Sequence, residues 1–337
     1  MKLRFVVALF LPVILFTTCG KQEKSQQDVI PEPIMARVNN VDHYSVEFKI
    51  LSDYTAYGEL ILFISDLYKT VDEFIGELEK GNNRSEYMRR VSFTYDRMIE
   101  NKGFVTANHL QAGIQYYCFF ISPYDSQHSD VIPVKTLGFN YTAEAVDMGL
   151  SVKWSSTDLG AQGDDPTELL FSWGELGPKD LFEDEYYKWY RYWRFENDES
   201  SYKYIFEEER LSGKMNVSFG LENDAARYNL GGTWRVPTFE EWQELFSNSH
   251  IKKDWYTTTF ISKINGNQLV LHDGHDVFHR RTWWSSTYSN YDTYRTDPCM
   301  AVYGYGFLSY LGSGGNGYAL SNDFNASKGG RIRPVCD

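Results

Sequence analysis

The chain has 337 residues, with 46 Asp and Glu against 33 Lys and Arg and a formal net charge of −13. An acidic balance of this size repels polyanions, so no nucleic-acid partner is expected. Aromatic residues make up 17% of the sequence, which favours β-rich packing or an aromatic binding surface, and the length suits two folded domains better than one.

At the N-terminus, Lys2 and Arg4 supply positive charge, and Phe5 to Phe16 form an apolar run interrupted by Pro12. A bilayer-spanning helix needs about 20 apolar residues, whereas a signal-peptide core needs roughly 7 to 15 followed by small residues. Thr17 and Thr18 supply those small residues directly before Cys19. This arrangement resembles a lipobox, and the resemblance implies cleavage after residue 18 and lipidation of Cys19. The expected organisation is then a signal peptide over residues 1–18 and a flexible tether over 19–33, polar and closed by two prolines. The expected location is the cell envelope, as an outer-membrane lipoprotein facing outward and held to the membrane by its lipid. A plain secretory signal is the other reading of the same residues, and it also exports the chain.

From Ile34 to Leu137, alternating apolar segments read as strands: HYSVEFKIL, YGELILFIS, RRVSFTY, IQYYCFFISP and DVIPVKTLGF. Short strands at this spacing predict an antiparallel β-sandwich. TVDEFIGELEKG departs from that pattern. Val71, Phe74, Ile75 and Leu78 recur at helical spacing, and Thr70 with Glu73 forms a capping-box signature, so a helix is expected inside the sandwich. Cys118 lies in an alternating strand and is expected to be a buried free thiol. The run LQAGIQYYCFF resembles the fibronectin type III pattern through Leu110, Gly113 and Tyr116. That resemblance implies a tyrosine corner, with the Tyr116 hydroxyl bonding back to the backbone.

Composition then changes. All nine tryptophans lie between Trp154 and Trp284, placing a boundary near residues 138–143. In WRVPTFEEW, Thr238 is positioned to cap a helix with Glu241 reciprocating, and Trp242, Leu245 and Phe246 form its apolar stripe. Together with VDMGLSVKWSSTDLGA, LLFSWGELGPK, TWWSSTYS and GGRIRPVCD, this order of motifs resembles the Fibrobacter succinogenes major paralogous domain of Bacteroidetes lipoproteins. The resemblance covers residues 143–337 and implies a C-type-lectin-like fold. The fold class expected for the whole chain is therefore α+β, an antiparallel fibronectin type III-like sandwich over 34–137 followed by a C-type-lectin-like domain.

Between Ser285 and Lys328 the sequence is dominated by Tyr, Ser, Asn, Gly and Asp. Tyr offers a large amphipathic contact area at small entropic cost, and Ser, Gly and Asn offer adaptable hydrogen bonds, as in evolved paratopes. The candidate ligand-binding residues are Tyr288, Tyr291, Tyr294, Tyr303, Tyr305, Tyr310, Asn316 and Asn322, with an extracellular glycan or protein as partner. Ordinary exposed loops share this composition. The segment also resembles the variable proteins of diversity-generating retroelements, which implies a diversified binder.

Enzymatic readings have less support in the sequence, and neither a catalytic residue nor a cofactor is expected. Formylglycine-generating enzymes use cysteines close in sequence, whereas Cys299 and Cys336 are far apart; in an exported chain these two are either a disulfide or separate thiols. His272, His275 and His279, interleaved with Asp273 and Asp276, are suitable metal ligands by type. Their alternatives are a polar hairpin or the centre of an envelope metal-dependent hydrolase. Tyr186 to Trp193, YYKWYRYW, reads as part-buried structural aromatics rather than a sugar platform. A structural subunit of a surface assembly is the third class.

Overall fold

The chain's computed structural model describes residues 33–53, 55, 57–79, 88–124, 127–161, 169–183, 186–187, 190–194, 200–204, 217–218, 220–254, 257–272, 281–288, 299–304, 318–324 and 328–337. Antiparallel sheets dominate these residues and helices are few, so the class is α+β with a β-rich balance.

The first part contains β1 (Ala36–Val41), β2 (Val46–Ile50), β3 (Glu59–Ser65), α1 (Val71–Glu79), β4 (Arg89–Thr94), α2 (Tyr95–Glu100), β5 (Phe104–Ala107), β6 (Gln115–Ile121) and β7 (Ile132–Lys135). Two antiparallel sheets, β1-β2-β5 and β4-β3-β6-β7, share one core. Val46, Phe48 and Ile50 alternate along β2 and pack with Leu60, Leu62 and Ile64 of β3 and with Cys118 and Phe120 of β6. The Phe48 and Phe120 rings meet edge-on at 5.4 Å. Cys118 is a free buried thiol, and burial pushes its pKa well above the ordinary thiol range.

Strand β3 breaks the alternation because it is buried almost throughout. The cause is α1, which covers the outer side of its sheet: Phe74 stacks on Phe119 at 5.2 Å, over Ile61 and Phe63. Its start is capped as the sequence indicates. Glu73 N donates to Thr70 Oγ1 at 3.3 Å while Thr70 N donates to Glu73 Oε2 at 2.9 Å. The predicted strands correspond to β2, β3, β4, β6 and β7. Two further strands, β1 and β5, and the one-and-a-half-turn α2 complete the sandwich. These are short elements, β1 carrying a register shift between Val38 and Asn40 and β5 four residues long, so each presents little periodicity to read.

The second part contains β8 (Ala145–Val146), β9 (Lys153–Ser155), β10 (Tyr190–Arg194), β11 (Ser200–Tyr204), β12 (Val217–Ser218), α3 (Ala225–Leu230), α4 (Phe239–Ser247), β13 (Ser249–Lys253), β14 (Thr257–Ser262), β15 (Gln268–His272), β16 (Arg281–Tyr288), β17 (Cys299–Gly304), β18 (Tyr318–Phe324) and β19 (Val335–Cys336). The last strand returns to the start of this part: β19 pairs antiparallel with β9, Val335 opposite Trp154, and β9 pairs in turn with β8. Such closure lets a module carry its own core. That core holds Met148, Trp154, Trp242, Leu245, Phe260, Leu271, Trp283 and Val335. Helix α4 begins with the full reciprocal capping box between Thr238 and Glu241, and it buries Trp242 and Leu245.

Of the two alternatives left open for Cys299 and Cys336, the fold has separate thiols. Cys336 is a free buried thiol on β19, whose hydrogen-bonded neighbour is β9, whereas Cys299 sits on β17 in a different sheet.

Residues 33–337 form one compact unit, and a polar seam joins its two cores. The Tyr116 hydroxyl accepts from Gln111 N at 3.0 Å, giving the expected tyrosine corner, with Gly113 at a positive φ of 74° in the turn. With its backbone held there, Gln111 reaches into the second part. Its Oε1 accepts from Leu176 N at 3.1 Å and from Gly177 N at 3.0 Å. Ala112 N donates to Pro178 O at 2.9 Å, and the Tyr228 hydroxyl donates to Gly113 O at 3.1 Å. The strand-free turn receiving these bonds is itself braced by a buried ion pair, Lys179 Nζ to Glu175 Oε2 at 2.8 Å. Gln111→Ala is expected to remove both carboxamide bonds and cost about 1–3 kcal/mol. Because the sandwich has no tryptophan, fluorescence reports the second part alone, while far-UV circular dichroism reports both. The two unfolding curves should coincide in the wild type and separate in the variant.

Candidate recognition sheet

The four-stranded sheet β12-β16-β17-β18 carries the segment singled out for recognition. Its central strand β16 is anchored from several directions. Thr282, Trp283, Trp284, Ser285, Ser286 and Thr287 are all buried. Buried indoles need a partner for their N–H, and here those donors knit β16 to its surroundings. Trp283 Nε1 donates to Asp158 Oδ1 at 3.0 Å, and Trp284 Nε1 donates to Phe171 O at 2.7 Å. Trp173 Nε1 donates to Ser285 O at 2.8 Å, and Trp242 Nε1 to Trp284 O at 3.3 Å.

The segment before β19 lies alongside β16. Trp284 N donates to Arg331 O at 2.9 Å and Arg331 N to Thr282 O at 2.8 Å. This approach requires glycine at position 330, where a Cβ would stand 2.6 Å from Trp284 Nε1. Arg333 is fully buried, and its Nε pairs with Asp158 Oδ1 at 2.7 Å. Its two terminal nitrogens donate to Ser155 O at 3.2 Å and Val270 O at 3.0 Å. Arg331 Nη1 donates to His272 O at 2.6 Å. One carboxylate and two guanidinium groups thus tie β9, β15, β16 and β19 together.

Behind the sheet, Asp224 caps α3 through Arg227 N and also accepts from Val236 N, both at 2.9 Å. Burial raises its pKa above the usual aspartate value despite those bonds. Arg235 grips Glu241 with both terminal nitrogens, and that hydrogen bonding raises the guanidinium pKa further. These groups fix the WRVPTFEEW turn.

The register separates the candidate residues. Arg281, Gly304 and Tyr318 align at one end of the sheet, and Tyr288, Cys299 and Phe324 at the other. With six to eight residues per strand, those ends stand about 20 Å apart. Residues 289–298 join β16 to β17 at the Tyr288 end, and residues 305–317 join β17 to β18 at the Gly304 end. Tyr288 therefore belongs with Tyr291 and Tyr294, whereas Tyr303, opposite Thr282 and Ala319, belongs with Tyr305, Tyr310 and Asn316. Asn322 follows Ser321, which stands opposite Ala301. The connectors that carry most of the candidate residues are thus anchored at opposite ends of the sheet. Tyr291, Tyr294, Tyr305, Tyr310 and Asn316 themselves lie outside the described residues, as does Cys19.

His272 closes β15 opposite Thr257 and is exposed, while His275 and His279 lie outside the described residues. Among the described residues no group of three or more His, Cys, Asp or Glu side chains is placed to hold a metal ion. In the YYKWYRYW stretch, Tyr187 is buried and its hydroxyl donates to Trp173 O at 2.9 Å. It is a packing residue, as its alternation suggests.

Sequence reasoning missed Asp158, Glu175, Lys179, Arg331 and Arg333. The visible signal was charge within otherwise apolar motifs, STDLGA, SWGELGPK and GGRIRPVCD, where burial demands a partner of opposite sign. No protein-family model matches this chain, and no curated protein matches it in sequence.

Proposed function

We propose that this chain is a lipid-anchored protein of the cell envelope, facing outward, whose C-terminal part recognises an extracellular glycan or protein without covalent chemistry. On this reading Cys19 carries the lipid, residues 34–137 are a fibronectin type III-like spacer, and residues 143–337 are a C-type-lectin-like module of the Fibrobacter succinogenes major paralogous type. The facing sheets β1-β2-β5 and β4-β3-β6-β7, together with the tyrosine corner, support the first assignment. The capped WRVPTFEEW helix and the pairing of the last strand β19 with β9 support the second.

One observation carries the functional reading. Two connectors rich in Tyr, Asn, Ser and Gly, residues 289–298 and 305–317, join the strands of a sheet whose inner strand β16 is buried and anchored by four indole N–H bonds. A rigid scaffold with adaptable aromatic loops is the division of labour that recognition surfaces use. A screen of residues 33–337 against glycan and extracellular-protein arrays tests it. A specific partner is expected, with affinity lost when the candidate tyrosines are changed to Ser. A partner retained in full by that variant would place the site elsewhere.

A further inference from the structure

The sandwich has two ends, and one carries an unusual share of exposed apolar side chains. At this end lie the start of β1, the loop from β2 to β3, helix α2 between β4 and β5, and the loop after β6. Met35, Leu51, Tyr95, Ile99 and Tyr124 are exposed there by 49%, 51%, 43%, 40% and 76%. They make up half of the large exposed apolar side chains among the described residues. Two pairs of them, Met35 with Leu51 and Tyr95 with Tyr124, are linked through the backbone and by packing. Leu51 N donates to Met35 O at 2.7 Å, Tyr95 N donates to Gly58 O at 3.0 Å, and a Cβ on Gly58 would stand 3.3 Å from the Tyr124 ring. Helix α2 buries only Met98 and presents Ile99 outward. Charges of both signs, Asp96, Glu100, Arg97 and Lys102, surround the apolar residues.

This is also the end where the chain enters the fold. Ile34 N donates to His128 O at 3.2 Å in the loop after β6, and the polar segment read as a tether joins here. From Gly20 to Pro33 there are 14 residues, and a random coil of that length would have a root-mean-square span of roughly 20 Å. The opposite end of the sandwich is taken up by the seam with the second part.

We infer that this end of the sandwich docks on the membrane surface, with Met35, Leu51, Tyr95, Ile99 and Tyr124 entering the headgroup region. The inference rests on the lipid-anchor reading. A lipid on Cys19 would keep the docking end on average about 20 Å from the bilayer, so even weak apolar contact becomes effectively intramolecular. Tyr is suited to the interface by its ring and hydroxyl, and Leu, Ile and Met supply apolar area. Because the surrounding charges are mixed, the attraction is apolar and insensitive to salt. The second part, attached at the far end through the seam, is thereby held away from the bilayer.

The test uses the mature lipidated protein in vesicles of phosphatidylethanolamine and phosphatidylglycerol, three to one. The same chain expressed without residues 1–19 is compared in solution at equal concentration. Amides of residues 95–103 and of the loop after β2 are expected to exchange about tenfold or more slowly on vesicles than in solution. Combining Leu51→Asp, Ile99→Asp and Tyr124→Asp should abolish that protection while leaving the thermal midpoint unchanged, since all three side chains are exposed. Equal exchange in the two samples overturns the inference. So does equal protection in both, which would mean that a second copy covers this surface. The mass of the N-terminal peptide reads the anchor separately: an unmodified Cys19 would remove the anchor and the docking with it, whereas a lipidated Cys19 without protection would remove the docking alone.

Discussion

Arg333→Ala is expected to destabilise residues 33–337 by about 3–5 kcal/mol, since breaking a buried pair leaves an uncompensated charge behind. Arg333 is fully buried, and Asp158 would keep only the Trp283 N–H and a distant Arg331, whose Nη1 is 3.7 Å from Oδ2. The variant also strips donors from Ser155 O and Val270 O, adding the cost of buried acceptors without partners. Against a total stability of roughly 5–15 kcal/mol for a folded domain, such a loss brings unfolding within reach of physiological temperature. Adding Asp158→Asn removes the orphaned charge, so the double variant should recover part of the loss. Urea unfolding followed by fluorescence measures both. Arg333→Ala with wild-type stability would mean that this network does not tie the strands together.

Trp242→Ala is expected to cost about 3–5 kcal/mol, the range for deleting a large buried aromatic and leaving a cavity. Trp242 is wholly buried beneath α4, its ring 4.6 Å from that of Trp154, with its N–H on Trp284 O. Trp242→Phe fills much of the same space and lacks the N–H, so it should cost less than Trp242→Ala. Equal costs for the two would locate the contribution in the hydrogen bond rather than the packing. Since the Trp284 carbonyl belongs to β16, both variants should also loosen the recognition sheet.

Local signals were legible in the sequence where a motif sets its own geometry. Both capping boxes, Thr70 with Glu73 and Thr238 with Glu241, and the Tyr116 corner are such cases, because each closes within a few residues. Helix α1 showed as a periodic stripe, but not its role, since which face of the β3 sheet stands open is a property of strand order. Strands β1 and β5 escaped because they are short and irregular. The Asp158, Arg331 and Arg333 network escaped for another reason: its members lie far apart in sequence, and nothing local indicates that an arginine will be buried. The candidate tyrosines were legible as composition, while their division between two sheet ends depends on the register of β16, β17 and β18. The unformed Cys299–Cys336 bridge likewise depends on which strand lies beside β19.

The central claim, recognition by the connectors of one sheet, is tested most directly by dividing the tyrosines as the register divides them. One variant carries Tyr288→Ser, Tyr291→Ser and Tyr294→Ser, and the other carries Tyr303→Ser, Tyr305→Ser and Tyr310→Ser. Affinity for the partner found on the arrays is measured for each by surface plasmon resonance. The predicted result is that one variant loses affinity at least about tenfold, some 1.4 kcal/mol or more, while the other binds as the wild type does. Both variants binding at wild-type affinity would contradict the claim and move recognition off this sheet.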